Sequence, residues 1–350
     1  MKRILFTGGG SAGHVVPNIA LMEELLRRGD IDLCYMGTDG IEKRLVANLK
    51  IPYYTLSAPK LIRKGGFSAF KENIKIPFRF RKAVKEAEKG LVACKPDLVF
   101  SKGGFVSLPV VVASKKLGIP CYAHESDLSV GLANKLSAKK CETVFTSFPE
   151  TAKKIKNGVY SGAPIRQSVF TGERELFRKQ YGIAPTQKVL LVFGGGSGSE
   201  AINRAVRKHL KSLTAKYVIF HLCGRNKSVE SSVKGYIQEE FALNMGGLYA
   251  VSDALLCRSG AGSVFEAISL KKPTLFIPLC NASRGDQRQN AEYFFQKGLC
   301  RILPEEELDR LPVAIDELFY DENLKERLQE TTLKDGRKFI TQRLIDALGK

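Results

Sequence analysis

The chain has 350 residues, 44% of them hydrophobic, no tryptophan, and a formal net charge of +19 at pH 7. That length favours two domains over one, the hydrophobic content excludes a disordered or fibrous chain, and no apolar run approaches the length of a membrane span. The charge points to an anionic partner, which composition alone leaves open among nucleic acid, an anionic membrane surface and a phosphorylated substrate.

From the N-terminus, Met1-Lys2-Arg3 is followed by only a strand's length of apolar residues, which does not read as a signal peptide. The run 4–7 ends in Gly8-Gly9-Gly10-Ser11-Ala12-Gly13 and leads into a helical stretch from Val15 to Arg28. The same order returns at 189–193, Gly194-Gly195-Gly196-Ser197-Gly198, and a helical stretch from Glu200. A strand whose glycines open a helix exposes backbone N–H groups at the positive end of a helix dipole, an arrangement that binds anions. Two copies, one per half, predict two nucleotide-type domains facing across a cleft.

Between these copies strands are expected at 33–37, 98–100, 120–124, 143–146 and 159–162, with helices at 41–49, 110–117 and 131–138. After the second copy, strands are expected at 217–223, 247–250, 254–258, 274–277 and 299–302, with helices at 263–271 and 287–297. This alternation reads as α/β, with parallel sheets covered by helices on both faces. The boundary is expected near Ala163-Pro164-Ile165-Arg166, where proline restricts the backbone. That divides the chain into residues 1–163, 164–335 and a closing helical segment 336–350. The eight cysteines, Cys34, Cys94, Cys121, Cys141, Cys223, Cys257, Cys280 and Cys300, are scattered without a C-x-x-C pair and read as reduced core thiols, with neither zinc nor disulfides.

From Lys60 to Lys89 there are ten Lys/Arg against three Glu, interleaved with phenylalanine and isoleucine. Phe67, Phe70, Ile74 and Phe78 recur at helical spacing beside Lys71, Lys75 and Arg79, although Pro77 must disturb a helix there. An amphipathic core helix with a solvated basic face has this pattern. The phenylalanine density favours a surface that lies on anionic lipid. Nucleic acid is not expected, because no recognisable binding motif is present.

The glycines Gly8, Gly10 and Gly13 fit G-x-G-x-x-G, but Asp39, the nearest acid for a nicotinamide-cofactor ribose, follows Gly37-Thr38 and leads into a helix, and the second half offers no acid after Cys223-Gly224, so that cofactor is left unsupported. Lys102-Gly103-Gly104-Phe105 is a third glycine cluster between a strand and a helix, for which close backbone packing is the plain reading. His14 and His124-Glu125-Ser126-Asp127 lie near the same strand ends and supply candidate general bases. In the second half, Cys257-Arg258-Ser259-Gly260 through Glu266 lets a ligand approach backbone. Glu266 suits either the helix dipole or a ribose diol. Asp30-Ile31-Asp32 matches the D-x-D of metal-dependent sugar transferases, yet precedes its strand and so lies on the opposite edge.

Taken together, these motifs resemble the MurG family of GT-B glycosyltransferases. The matching residues are Gly8 to Pro17, Gly103 to Pro109, His124-Glu125 with Gly131 to Lys135, Gly162 to Arg166, Gly194 to Gly198 with Asn203, Cys257 to Glu266, and Gln287 with Asn290-Ala291. The family transfers N-acetylglucosamine from its UDP derivative to a lipid-linked muramyl-pentapeptide, with inversion at the anomeric carbon. The resemblance implies a donor site of Ser11, Ala12, Gly13, Asp127, Arg166, Ser197, Ala242, Ala261, Gly262, Ser263, Val264, Phe265, Glu266 and Gln287. Asp127 stands where the family usually has asparagine, and Ala12 replaces a frequent glycine. Gly103, Gly104 and Asn134 fall to the acceptor diphosphate, His14 is the expected base, and Glu125 is the second choice. No cofactor and no metal is expected, a divalent cation serving at most to stimulate. The implied partners are a UDP-sugar, a lipid diphosphate, the anionic inner leaflet and cell-wall synthesis proteins, at the cytoplasmic face of a bacterial inner membrane. The alternatives on the same fold are a UDP-sugar 2-epimerase, a transferase acting on a diacylglycerol acceptor, and a non-catalytic nucleotide-sugar sensor.

Overall fold

The computed structural model describes residues 1–62, 66–279 and 285–349, with the side chains of 66–68 excluded. Cys280 and the side chain of Phe67 therefore lie outside the described residues. The chain forms two compact units, Met1–Arg166 with Lys334–Lys350, and Gln167–Leu333.

In the first unit the order is β1 (Lys2–Thr7), α1 (Val16–Leu26), β2 (Ile31–Gly37), α2 (Ile41–Val46), β3 (Tyr53–Thr55), α3 (Gly66–Ile74), α4 (Ile76–Cys94) and β4 (Leu98–Ser101). Then follow α5 (Ser107–Lys116), β5 (Cys121–Glu125), α6 (Leu132–Ser137), β6 (Thr143–Thr146), α7 (Pro149–Lys153) and β7 (Gly158–Tyr160). The seven strands form a sheet in the order β3-β2-β1-β4-β5-β6-β7, and every pairing is parallel. Both faces are covered, as an all-parallel sheet requires. Successive residues of β1 point to opposite faces: Leu5 joins the layer under α4 and α5, with Ala83, Val84, Ala87 and Val110. Ile4 and Phe6 join the other layer, with Leu21, Leu25 and Tyr35. Pro77 lies in the first turn of α4, where its missing N–H breaks no helical bond, so the helix starts there rather than being broken.

In the second unit the elements are α8 (Arg174–Gln180), β8 (Lys188–Phe193), α9 (Glu200–Lys208), α10 (Leu210–Thr214), β9 (Tyr217–Leu222), β10 (Tyr236–Glu239) and α11 (Met245–Val251). They continue as β11 (Ala254–Cys257), α12 (Ala261–Ser269), β12 (Thr274–Phe276), α13 (Asp286–Phe295), β13 (Arg301–Ile302), α14 (Leu311–Phe319) and α15 (Glu322–Glu330). Six parallel strands run in the order β10-β9-β8-β11-β12-β13. The final helix, α16 (Gly336–Leu348), belongs to the first unit, where Ile340 and Leu344 are buried in the layer that holds Leu21 and Leu25 of α1.

Three expectations are corrected. Residues 247–250 are helical within α11, because the Asn244 side chain caps the helix by accepting from the Gly247 N–H at 2.9 Å. Two adjacent glycines are poor helix formers, but Gly247 receives the Phe177 ring in close contact, and packing overrides propensity. The short edge strands β3 and β10 were not expected; both are only half-buried along most of their length, which weakens the alternation that marks a strand. Cys34 and Cys94 form a disulfide, whereas Cys121, Cys141, Cys223, Cys257 and Cys300 are free and buried. A cysteine in an apolar run looks the same in sequence whether or not its sulfur has a partner.

Candidate active site

In both sheets the strand order reverses beside the first strand of the unit, between β1 and β4 and between β8 and β11. Thr7 pairs with Ser101 and Phe193 with Cys257, so each pair of glycine-containing loops leaves the sheet side by side. Open α/β sheets bind ligands at this switch point, outside the carboxyl ends of the strands.

In the first unit the loops at 8–14 and 102–106 pack into each other. A Cβ on Gly104 would lie 2.6 Å from the Gly9 carbonyl oxygen and 3.2 Å from Nδ1 of His14, and one on Gly8 would lie 3.0 Å from Cβ of Lys102. Gly104 also has φ +80°, a conformation that favours glycine. His14, half-buried, closes a short helical turn, with Nδ1 2.9 Å from Oγ of Ser11. Burial and then the Lys102 charge push His14 down to about 4, against a smaller upward pull from the Gly9 carbonyl. The imidazole is therefore neutral at neutral pH. His124 is fully buried, with Nε2 3.3 Å from Ser147 Oγ, and is held well below its usual range by burial and Lys102.

Lys102 is the residue that the sequence reading passed over. It is only 2% exposed. Burial lowers its pKa, and Glu125 and Asp127 draw it back up. Lys102, Glu125 and Asp127 thus act on one another electrostatically at this edge. Glu125 is engaged as an organiser of the next loop: Oε1 accepts from the Asp127 N–H at 3.1 Å, and Oε2 from the Gly131 N–H at 2.7 Å and Asn134 Nδ2 at 2.9 Å. Asn134 also donates to the His124 carbonyl at 3.2 Å, and a Cβ on Gly103 would lie 2.9 Å from its Oδ1. His14, Gly104, Gly103, Asn134 and Glu125 are therefore one connected edge. Ser11 and Gly13 are exposed on it, Ala12 is half-buried, and Arg166 stands half-buried at the end of the unit. Asp32 of the D-x-D sequence is paired with Arg3 at 3.1 Å.

The candidate membrane face belongs to this unit as well. Phe70, Ile74 and Phe78 are 60%, 56% and 73% exposed, joined by Leu61 and Ile62. Asn73 holds the Ile62 backbone from both sides, accepting from its N–H at 3.1 Å and donating to its carbonyl at 2.9 Å. Lys75 and Arg79 each reach Glu72 at 2.8 Å and lower its pKa, while Lys71 lies on the preceding turn of α3. Lys60 sits 5.9 Å over the Phe105 ring, the ring that Gly10 packs against. The apolar, cationic patch is thus continuous with the glycine loops. No helix among the described residues is long and apolar enough to cross a membrane.

In the second unit Ser199 caps α9, its side chain accepting from the Ile202 N–H. The glycine loop after β8 therefore opens a helix whose N-terminus is already served. Arg258, buried after β11, ties this edge together. It donates to Ser199 Oγ at 2.8 Å, to the carbonyls of Ile277 and Pro278 at 3.1 and 3.3 Å, and pairs with Glu305 at 2.6 Å. By contrast α12 begins at Gly260 with no side-chain cap, and a Cβ on Gly260 or Gly262 would meet nothing within 4 Å. A helix start without a side-chain cap, beside open space, is an arrangement that can take an anion. Val264 and Phe265 are buried in the core, so only their backbone faces this edge, while Ser263 and Glu266 are half-buried. Tyr249 of α11 donates to Oε2 of Glu266 at 2.8 Å. Gln287 is fixed at the start of α13, Oε1 accepting from the Leu279 N–H at 3.1 Å and its carbonyl from Ser259 Oγ at 2.9 Å. Ser197 is exposed, its carbonyl accepting from Lys227, and Ala242 lies buried between exposed Phe241 and Leu243 in the loop after β10. Among the described residues no group of three or more His, Cys, Asp or Glu side chains is placed to hold a metal ion.

The glycosyltransferase family 28 N-terminal domain matches residues 4–146, and the family's C-terminal domain matches residues 189–344. A UDP-N-acetylglucosamine–N-acetylmuramyl-(pentapeptide) pyrophosphoryl-undecaprenol N-acetylglucosamine transferase of Clostridium perfringens is 42% identical over 314 residues, covering 88% of this chain and 87% of that protein. Its namesake in Clostridium botulinum is 40% identical over 352 residues and covers 98% of each. Among solved structures, Acinetobacter baumannii MurG superposes with a TM-score of 0.74 at 23% identity, covering 99% of this chain and 100% of its own. A UDP-GlcNAc 2-epimerase from Neisseria meningitidis, bound to UDP-GlcNAc, reaches 0.69 at 16% identity and covers 99% and 100%. Both are likenesses of fold, and the fold is GT-B. The chain belongs to glycosyltransferase family 28, in its branch of N-acetylmuramyl-(pentapeptide) pyrophosphoryl-undecaprenol N-acetylglucosamine transferases.

Proposed function

We propose that this enzyme transfers N-acetylglucosamine from UDP-N-acetylglucosamine to the 4-hydroxyl of an N-acetylmuramyl-pentapeptide carried on undecaprenyl diphosphate. The observation that carries the reading is end-to-end kinship at 40% identity with transferases named for that reaction. The shared fold does not discriminate, since an epimerase has it too. The patch of Phe70, Ile74 and Phe78 supports a lipid acceptor, because an enzyme acting on a soluble nucleotide sugar has no use for it.

In this reading the uncapped start of α12, from Ala261 to Val264, takes the donor diphosphate, Glu266 the ribose hydroxyls, Ala242 the uracil through its backbone, and Ser197 and Gln287 the sugar. The resemblance also gives Ser11, Ala12, Gly13, Asp127 and Arg166 to the donor. Gly103, Gly104 and Asn134 form the acceptor's diphosphate loop. Negative charge develops on UDP as it leaves, and preorganised N–H groups with Arg166 stabilise it without reorganising. His14 is the base. Being neutral, it accepts a proton, and a hydrogen on Nδ1 toward Ser11 leaves the Nε2 lone pair for the acceptor hydroxyl. Glu125, spent on three N–H donors, shapes the loop. Phe70, Ile74 and Phe78 insert at the headgroup level of the cytoplasmic leaflet, with Lys71, Lys75 and Arg79 facing anionic lipid.

The test is UDP release from UDP-N-acetylglucosamine with and without a lipid-linked muramyl-pentapeptide, followed in parallel for the manno epimer. Acceptor-dependent release is expected. Acceptor-independent epimerisation, or donor binding without turnover on any acceptor, contradicts the reading.

A further inference from the structure

Glu266 is a carboxylate on a helix whose start is made of small residues, and such a side chain has several rotamers open to it. One of its partners is Tyr249, which donates a hydrogen bond to Oε2 at 2.8 Å. Tyr249 is itself enclosed by the core. It is 1% exposed, it sits in the middle of α11, and its ring meets Phe193 edge-on at 6.1 Å and 79°. Phe193 is the last residue of β8, so the tyrosine links the end of the central strand, α11 and the Glu266 turn of α12. A buried phenol must place its hydrogen on an acceptor, and here that acceptor is the carboxylate. The phenol takes one of the roughly four acceptor positions of the group, and it fixes the plane in which the others lie.

We infer that Tyr249 is a positioning residue that aims Glu266 at the ribose diol and so makes the donor site select ribonucleotides over nucleotides lacking those hydroxyls. A carboxylate fixed in advance accepts both hydroxyls without losing rotamer freedom on binding. A site built to accept from a hydroxyl penalises the analogue lacking it. This rests on the proposal that the edge of α12 holds UDP, and it adds the residue that sets the specificity. A purely structural tyrosine predicts something different, an equal loss for every nucleotide.

The experiment is calorimetric titration of the full chain with UDP and with 2′,3′-dideoxy-UDP, for wild type, Tyr249→Phe, Glu266→Gln and the double variant. Wild type is expected to bind UDP at least about tenfold more tightly than the dideoxy analogue. Tyr249→Phe is expected to weaken UDP by about 5- to 20-fold, up to the lower end of the worth of one hydrogen bond to a charged group because the effect is indirect, with the dideoxy analogue unchanged. Glu266→Gln should abolish the preference, and Tyr249→Phe should add nothing in that background. A preference that survives Tyr249→Phe but not Glu266→Gln overturns the inference and leaves the donor site intact. Equal weakening of both ligands, or a Tyr249→Phe chain that does not fold, also overturns it by making the hydroxyl structural. A wild type indifferent to the ribose hydroxyls, or one that binds no UDP, overturns the underlying donor reading instead.

Discussion

A Cβ added at Gly104 in the first unit would lie 2.6 Å from a backbone oxygen, whereas one added at Gly260 or Gly262 in the second would meet nothing within 4 Å. The two edges occupy equivalent places in two sheets of the same winding, and their glycines serve different ends. In the first unit glycine lets two loops come together with buried Lys102, His124 and Glu125 and half-buried His14. In the second it clears space in front of an uncapped helix, near which Arg258 is paired with Glu305 and Glu266 accepts a hydrogen bond from Tyr249. A glycine cluster in sequence therefore marks close approach, and only the structure says whether the approaching partner is protein or ligand. The proposed function accordingly puts chemistry at the first edge and nucleotide binding at the second.

The largest expected effect breaks the chemistry alone. His14→Ala should lower kcat by about 10²–10⁴-fold while UDP affinity, measured by titration, stays as in wild type. A loss confined to affinity would move His14 to the binding side of the comparison.

A paired substitution sharpens it next. Gly104→Ala should cost about 2–4 kcal/mol of folding stability through overpacking and a strained backbone, read as a lowered melting temperature. Gly262→Ala should leave stability equal or up to about 1 kcal/mol higher, since alanine favours a helix, and weaken UDP by about tenfold or more where its methyl enters ligand space. Interchanged outcomes would reverse the assignment of the two edges.

The pH dependence follows from the same cluster. His14 has a folded pKa depressed to about 4 by burial first and Lys102 second, so the acid limb of kcat/KM should fall near 4 rather than 6.5. Lys102→Met should move that limb upward, because a repelling charge is gone. Stability carries the same sign. His14, His124 and His221 are all depressed in the fold, so the unfolded chain binds more protons as pH drops below about 6.5. Denaturation free energy should therefore fall between pH 7 and 5, by at most about 1.4 kcal/mol per pH unit for each histidine.

The smallest change in turnover is expected at the patch. Phe70→Ser with Phe78→Ser should leave transfer to a water-soluble acceptor analogue unchanged and weaken binding to anionic vesicles by about tenfold or more, as two buried rings are lost.

Much of this was legible in the sequence because it lies in short-range pattern. Apolar runs ending in glycine located β1, β8 and the sheet edges, and the sequences around His14, Gly103, His124 and Glu266 marked the residues that gather there. What escaped depends on partners far along the chain. The Ser199 cap and its Arg258 partner lie 59 residues apart, and Tyr249 belongs to a segment that its glycines disguised as strand. Lys102 was read only as the residue before two glycines, since burial of a lysine leaves no local mark.

Hydrogen exchange of the full chain with and without UDP tests the division of labour most directly. Slower exchange at residues 258–266, 242 and 287 is the predicted result. Protection confined to the loops at 8–14 and 102–106, with the start of α12 unchanged, would contradict it.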